Sequence, residues 1–161
     1  MYIIMVNSGC LWEKVGQFMF IGEYRHSIDN KNRLIIPSKY RDELGSNFIV
    51  SKGFDGCLTI YTQEQWHLKF EQIKKLPITK KQTRYYIHAL TSKAVECDLD
   101  KNGRIQLPQA LINEAKIIKE CVVVGVDDHV EIWADVIWEE YYKIASDSFE
   151  DIAEDLTEFL I

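Results

Sequence analysis

Long apolar runs are absent from this chain. The longest, around Tyr2–Val6 and Cys121–Val124, fall far short of the roughly 20 residues that a membrane-spanning helix needs, so no membrane partner is expected. Clustered metal ligands are absent too. Cys10, Cys57, Cys97 and Cys121 are scattered, as are His26, His67, His88 and His129, with no pair at metal-ligand spacing. With no sign of secretion, the thiols are expected to be reduced. There is no HExxH, no CxxC, no phosphate loop and no GxSxG element. These gaps argue against an enzyme, a cofactor or a small-molecule substrate. The hydrophobic fraction of 47% and charged fraction of 27% are ordinary globular values, enough for a packed core in one domain or two small, intimately joined halves.

Net positive charge is also missing: the chain carries −6, which at first sight disfavours nucleic acid. The distribution reverses that impression. Residues 19–96 hold 13 Lys and Arg against 8 Asp and Glu, whereas residues 97–161 hold 5 against 16. A basic half followed by an acidic half is compatible with a local anion-binding face and a solvating acidic tail, although ordinary charged surfaces explain it equally well.

What the chain does contain is a repeat. Asp29-Asn30-Lys31-Asn32-Arg33-Leu34-Ile35-Ile36-Pro37 matches Asp100-Lys101-Asn102-Gly103-Arg104-Ile105-Gln106-Leu107-Pro108 at an offset of 71. Further on, Leu58–Tyr61 matches Val130–Trp133 and Trp66 matches Trp138 at an offset of 72. The single inserted residue belongs in a connecting loop. A lone Asp-x-x-x-Arg means nothing. Two copies in register, each followed by an apolar–x–apolar–Pro strand end and later by an aromatic pair, indicate duplication.

Each copy reads as β–turn–β–short α–β–turn–β. Glu23–Ile28 and Arg33–Ile36 flank one turn, and Val95–Leu99 and Arg104–Leu107 flank its equivalent. Asn32 and Asn102-Gly103 suit positions of positive φ, and Asp29 and Asp100 can accept backbone N–H groups across the turn. Short helices follow over Pro37–Leu44 and Pro108–Lys116, then hairpins Phe48–Lys52 with Cys57–Tyr61 and Cys121–Val124 with Val130–Trp133. Such units cannot bury their apolar faces alone. The expected fold is therefore α+β, an internal pseudo-dimer of the two units. Helices are expected over Thr62–Leu76, Thr79–Thr91, Asp135–Ala145 and Phe149–Leu160, with Thr62, Thr79 and Asp135 as caps. The resulting division is 1–18 as an N-terminal extension, 23–65 as repeat 1, 66–93 as a helical linker, 94–137 as repeat 2 and 138–161 as an acidic C-terminal segment.

Met19-Phe20-Ile21-Gly22-Glu23-Tyr24, the stretch Ile28–Pro37 and Asp100–Arg104 together resemble the MraZ family of bacterial regulators. One departure is Asn32, where family members often carry glycine. The resemblance implies an AbrB-type swapped-hairpin barrel with peripheral helices, assembled from both repeats, and ring-shaped homo-oligomers. It implies a cytoplasmic, nucleoid-associated protein that binds double-stranded promoter DNA at G-rich direct repeats, usually to repress its own division and cell-wall gene cluster. It also places the DNA-contacting element on Asp29–Arg33 and Asp100–Arg104.

The residues make physical sense of that placement. Arg33 and Arg104 offer planar, permanently charged forks to phosphate or to guanine O6 and N7. Lys31 and Lys101 add phosphate attraction and salt dependence. Asp29, Asp100, Asn32 and Gly103 order the turns. A structural Asp–Arg bridge beneath each turn is the competing reading, and Arg25, Lys39 and Arg41 either widen the basic face or are merely solvated. The two loops are expected to be held apart by a stiff β scaffold.

The main alternative function keeps the barrel but makes the chain an antidote that binds a toxin partner through its acidic Asp147–Glu158 segment. The N-terminal extension carries a further expectation. Trp12-Glu13 can only be encoded TGG-GAR, and the codons of Ser8–Cys10 and Val15-Gly16 permit TGGG ten bases before and after. Residues 1–18 are therefore read as translated operator sequence.

Overall fold

The computed structural model describes residues 2–6 and 11–15 as backbone, and residues 19–160 in full. The first two stretches, β1 (Tyr2–Val6) and β2 (Leu11–Val15), pair antiparallel with Tyr2 opposite Val15. The operator reading of the N-terminal extension turns in part on residues 7–10 and 16–18, which lie outside the described residues.

The first repeat contributes β3 (Glu23–Ser27), β4 (Arg33–Ile35), α1 (Ser38–Leu44), β5 (Asn47–Lys52) and β6 (Leu58–Thr62). The second contributes the equivalent β7 (Val95–Asp98), β8 (Arg104–Gln106), α4 (Gln109–Glu114), β9 (Glu120–Val126) and β10 (His129–Ala134). Between them lie α2 (Gln63–Ile73) and α3 (Lys81–Thr91). After them come α5 (Asp135–Asp147), α6 (Phe149–Asp155) and a 3-10 turn at Thr157–Phe159. The molecule is a mixed α+β protein built on antiparallel sheet.

Strand pairing crosses between the repeats. One six-stranded sheet runs β3-β9-β10-β6-β5-β7, and β4 pairs with β8 in a separate ribbon. Thus β3 of the first repeat lies on β9 of the second, β7 of the second lies on β5 of the first, and β6 meets β10 in the middle. The strands flanking each Asp-initiated turn, β3 with β4 and β7 with β8, share no ladder of their own. They diverge to pair with the other repeat. The reason is edge chemistry. A lone four-stranded unit would leave unpaired N–H and C=O groups and an uncovered apolar face, and reciprocal exchange covers both.

The core follows the same offset. Leu34 and Ile105, Ile36 and Leu107, Tyr40 and Leu111, Leu44 and Ala115 are all buried, each pair 71 residues apart, and Ile60 and Ile132 continue the correspondence at 72. Each large aliphatic side chain removed from water contributes roughly 1.5–3 kcal/mol, so the two halves stabilise each other by a shared interior. Phe20 and Tyr24 meet the Tyr40 ring edge-on at 5.6 and 5.4 Å, and the Tyr40 hydroxyl donates toward the carbonyls of Ile21 and Gly22. That contact fastens the segment around Phe20 over the shared core. Gly125 permits it: a Cβ there would lie 2.4 Å from the backbone of Phe20 and Ile21.

Local signals at helix starts fare unevenly. Thr62 caps α2 by accepting the Gln65 amide at 3.1 Å. Thr79 does not cap α3, whose N-cap is Lys80; instead the Arg84 guanidinium reaches back to the carbonyls of Ile78 and Thr79. Asp135 is the first residue of α5 rather than its cap, a position that Ala134 takes. Its charge there still opposes the helix dipole favourably. Pro37 and Pro108 stand at the N-caps, one residue earlier than expected.

Candidate nucleic-acid interface

The two Asp-to-Arg turns have the same geometry. In the first, the Asn32 amide donates to the Asp29 carbonyl at 3.0 Å and the Asp29 amide donates to the Arg33 carbonyl at 3.0 Å. The Asp29 carboxylate accepts the amides of Lys31 and Arg33, both at 2.9 Å, and Arg33 Nε at 2.7 Å. In the second, Gly103 and Asp100 make the same backbone bonds at 3.0 and 2.9 Å. Asp100 accepts the amides of Asn102 and Arg104 at 2.8 and 2.9 Å, and Arg104 Nε at 2.9 Å. Asn32 has φ +60 and Gly103 φ +72, the left-handed conformation that ends such a turn. Asparagine and glycine are the residues that reach it most cheaply.

Each aspartate therefore holds its arginine at Nε, and among the described residues neither guanidinium makes a further side-chain hydrogen bond. The Nη1–Nη2 edge, which carries four of the five guanidinium protons, meets no hydrogen-bond partner among the described residues. The side chains of Arg33 and Arg104 are 30% and 25% accessible, so the forks are half-buried and oriented rather than sealed inside. Both readings of the Asp–Arg pair thus describe the same contact. The bridge exists, and it leaves the outer edge of the arginine open.

The ribbon brings the two turns together. Arg33 lies opposite Gln106, Leu34 opposite Ile105 and Ile35 opposite Arg104. Side chains alternate across a strand, so Leu34 and Ile105 point into the core while Arg33, Ile35, Arg104 and Gln106 share the outer face. The arginines are diagonal neighbours on that face, about 7–8 Å apart at Cα by sheet geometry. The loops are therefore not remote from each other: they open at the two ends of one three-residue ribbon. The turns also support each other across the repeats. The Leu107 amide donates to the Asn32 carbonyl at 2.8 Å, and the Ile36 amide to the Gly103 carbonyl at 2.9 Å. Gln106 Nε2 donates to the Lys31 carbonyl at 3.1 Å, and Asn32 Nδ2 to Gln109 Oε1 at 3.1 Å.

Lys31 and Lys101 are exposed at the turn tips. Of the other cations considered, Arg25 is taken up by the carboxylates of Glu23 and Glu139, which removes it from the basic face. Lys39 is exposed with no carboxylate partner among the described residues. Arg41 belongs to the site more closely than its place in α1 suggests. Its Nε donates to the Ile36 carbonyl at 2.8 Å, and its guanidinium lies where a Cβ on Gly103 would be, 2.2 Å from the Cζ atom. A third guanidinium thus backs the second turn. The sequence offers it only as one of several cations that could widen the basic face, and the repeat does not single it out, because Ile112 stands at the equivalent position.

The Arg33 amide hydrogen bond, with further help from the Arg33 side chain and the Lys31 amide, holds the Asp29 carboxyl below its ordinary value. Arg104 and Asn102 do the same for Asp100. Both aspartates are therefore ionised at neutral pH, as a fixed salt link requires. Elsewhere, Cys57, Cys97 and Cys121 are buried free thiols. Burial raises all three, with Cys97 near 11 and Cys121 near 12. Among the described residues no group of three or more His, Cys, Asp or Glu could hold a metal ion, and no helix is long and apolar enough to cross a membrane.

Residues 19–86 and 90–160 match the family described as "MraZ protein, putative antitoxin-like". A protein of Ligilactobacillus salivarius (strain UCC118) named transcriptional regulator MraZ is 48% identical over 141 residues, covering 88% of this chain and 99% of that one. A protein of the same name from Pediococcus pentosaceus (strain ATCC 25745) is 49% identical over 141 residues with the same coverage. With both repeats, and the Asp-to-Arg turn of each, inside the match, this chain belongs to the MraZ family.

Proposed function

We propose that the chain is a sequence-specific DNA-binding transcriptional regulator, not an enzyme, and that its β4–β8 ribbon is the reading head. The observation that carries this is the shared outer face of the ribbon: two arginines, each pinned at Nε and open at the Nη edge, with Lys31 and Lys101 at either end. A major groove about 12 Å wide admits a two-stranded ribbon, and a fixed guanidinium edge matches O6 and N7 of guanine. Pinning matters because an arginine oriented in advance loses less side-chain entropy on binding. Lys31, Lys101 and Arg41 supply phosphate attraction; Asp29, Asp100, Asn32 and Gly103 set the direction of the forks.

The scaffold reading is a swapped-hairpin barrel of two repeats, 23–65 and 94–137, joined by a helical linker 66–93. It is supported by the reciprocal pairing of β3 with β9 and β7 with β5. Residues 138–161 form an acidic appendage and residues 1–18 an extension. One subunit offers few cations, so useful affinity requires several ribbons on one DNA. A ring-shaped homo-oligomer at G-rich direct repeats spaced about 10 bp would place each ribbon on the same face of the duplex. The target is the promoter of the protein's own division and cell-wall gene cluster, with repression as the outcome and the nucleoid as the place of action.

A mobility-shift titration on the DNA upstream of its own gene tests the reading. Binding should be saturable, should weaken steeply between 50 and 200 mM salt, about as expected for several phosphate contacts, and should resist unrelated competitor DNA. Equal competition by unrelated duplex would remove sequence specificity, and no shift at low salt would remove the function.

A further inference from the structure

The β4–β8 ribbon is nearly symmetric about its own centre, and it departs from symmetry where it matters. Its register pairs Arg33 with Gln106, Leu34 with Ile105 and Ile35 with Arg104. Half a turn about the Leu34–Ile105 rung exchanges Arg33 with Arg104, residues that the repeat already equates. The same half turn exchanges Ile35 with Gln106, and there the likeness fails. One outer corner of the ribbon is aliphatic and the other is an amide. Both side chains are exposed, Ile35 to 38%.

The backbone sets each of these corners beside an arginine. Hydrogen bonds from the Leu107 amide to the Asn32 carbonyl, and from the Ile36 amide to the Gly103 carbonyl, close the ladder at its two ends. Bonded and non-bonded rungs alternate along an antiparallel pair, so Arg33–Gln106 and Ile35–Arg104 are the non-bonded rungs. Their Cα atoms stand about 4.5 Å apart, where facing side chains come closest. The two rungs are two residues apart, about 6.8 Å along the strand, which matches two base-pair steps of about 3.4 Å. Gln106 is also anchored. Its Nε2 donates to the Lys31 carbonyl at 3.1 Å, which leaves Oε1 without a donor among the described residues. Arg41 sharpens the difference between the ends: it stands beside Gly103, next to the Ile35–Arg104 rung, and Ile112 takes its place in the other repeat.

We infer that Ile35 and Gln106 determine specificity and make the ribbon a directional reader. Ile35, beside Arg104, packs on the C5-methyl group of a thymine next to one guanine. Gln106 Oε1, beside Arg33, accepts from the exocyclic amine of an adenine or cytosine next to the other. The chemistry follows from the base edges. In the major groove the thymine methyl is the one apolar group, and adenine N6 and cytosine N4 are the only donors. Covering Ile35 with a methyl group removes apolar surface from water, which is favourable. A ribbon with the same residue at both corners would favour an element that reads alike on both strands. Unlike corners distinguish the strands, so each copy lies on the duplex in one direction. The inference rests on the ribbon being the DNA-contacting surface and adds to it the bases beside the guanines.

Selection by the full chain from duplexes with a randomised core tests this. The wild type should enrich an element with thymine beside guanine at one end and adenine or cytosine beside guanine at the other, the recovered base deciding between those two. Ile35→Gln gives both corners an amide and should enrich an element that reads alike on both strands. Deoxyuridine in place of the selected thymine removes only the methyl group. It should weaken the wild type about fourfold, the effect of one buried methyl group, and leave Ile35→Gln unaffected. Gln106→Ala should relax the preference for the amine-bearing base, a preference of about fivefold or more in the wild type. Both positions are exposed, so circular dichroism should show an unchanged fold. A wild-type element that reads alike on both strands, a methyl effect that persists in Ile35→Gln, or an unrelaxed preference in Gln106→Ala would overturn this inference alone. Failure of the wild type to enrich any sequence would overturn it together with the sequence-specific reading on which it stands.

Discussion

Gly103 is where the turn, the repeat symmetry and the candidate DNA-binding face meet, so Gly103→Ala is an informative perturbation. Two costs can be separated. The backbone stands at φ +72, which a Cβ disfavours by about 1–2 kcal/mol. The new methyl would also lie 2.2 Å from Arg41 Cζ, displacing that side chain and its 2.8 Å bond to the Ile36 carbonyl, worth about 0.5–1.5 kcal/mol. The sum is about 1.5–3.5 kcal/mol. Gly103→Asn should cost less, because Asn32 holds the same conformation at φ +60 in the first repeat. Arg41→Ala should remove the steric part, so Gly103→Ala in that background should cost only the backbone part. Urea denaturation of the wild type, both single variants and the double variant at fixed protein concentration closes a double-mutant cycle. Additive costs at positions 41 and 103, or a Gly103→Ala protein as stable as the wild type, would refute the packing described for the second turn.

Three further outcomes follow. Asp29→Asn and Asp100→Asn should lower DNA affinity about tenfold each, as expected when a charge-assisted bond orienting a fork is weakened, while circular dichroism stays unchanged; full affinity would show that the forks need no orienting. His129 is pressed toward neutrality by burial, but the hydrogen bonds that its protonated ring donates to the Glu131 and Asp128 carboxylates outweigh this and hold its pKa above the ordinary histidine value. Its stabilising effect should be complete below pH 6.5 and lost as pH rises through the raised value, so the wild-type advantage over His129→Gln should shrink on that side of the titration and not on the acid side. In a Cys10→Ser background, Cys57, Cys97 and Cys121 should resist Ellman's reagent at pH 8 until denaturant is added; rapid native labelling would contradict their burial.

Short-range chemistry was legible in the sequence, and long-range pairing was not. Asp29 and Asp100 as amide acceptors, Asn32 and Gly103 at positive φ, and Thr62 as a cap all follow from interactions within four residues. The spacing of Leu34, Ile36, Ile105 and Leu107 marks the buried side of each strand. That Arg33 and Arg104 share one ribbon was hidden, because the β4–β8 pairing joins residues about 70 positions apart and nothing local encodes a partner. Arg41 was hidden for a related reason: its role depends on the turn of the other repeat. Thr79 and Asp135 are not caps because α3 starts one residue later than the Thr79 signal implies, with Lys80 at its N-cap, and α5 follows β10 directly, so Asp135 is already its first residue. Arg25 looked available until Glu139, far along the chain, was seen beside it.

The central claim is that two pinned arginines on one ribbon read DNA. Fluorescence anisotropy with a labelled duplex from the gene's own upstream region tests it most directly, using Arg33→Ala, Arg104→Ala and the double variant at several salt concentrations. Each single variant should lose about tenfold in affinity or more, equivalent to the roughly 1–3 kcal/mol of a fixed guanidinium contact. The double variant should bind all duplexes alike, with an unchanged circular dichroism spectrum. Wild-type affinity and specificity in the double variant would contradict the account.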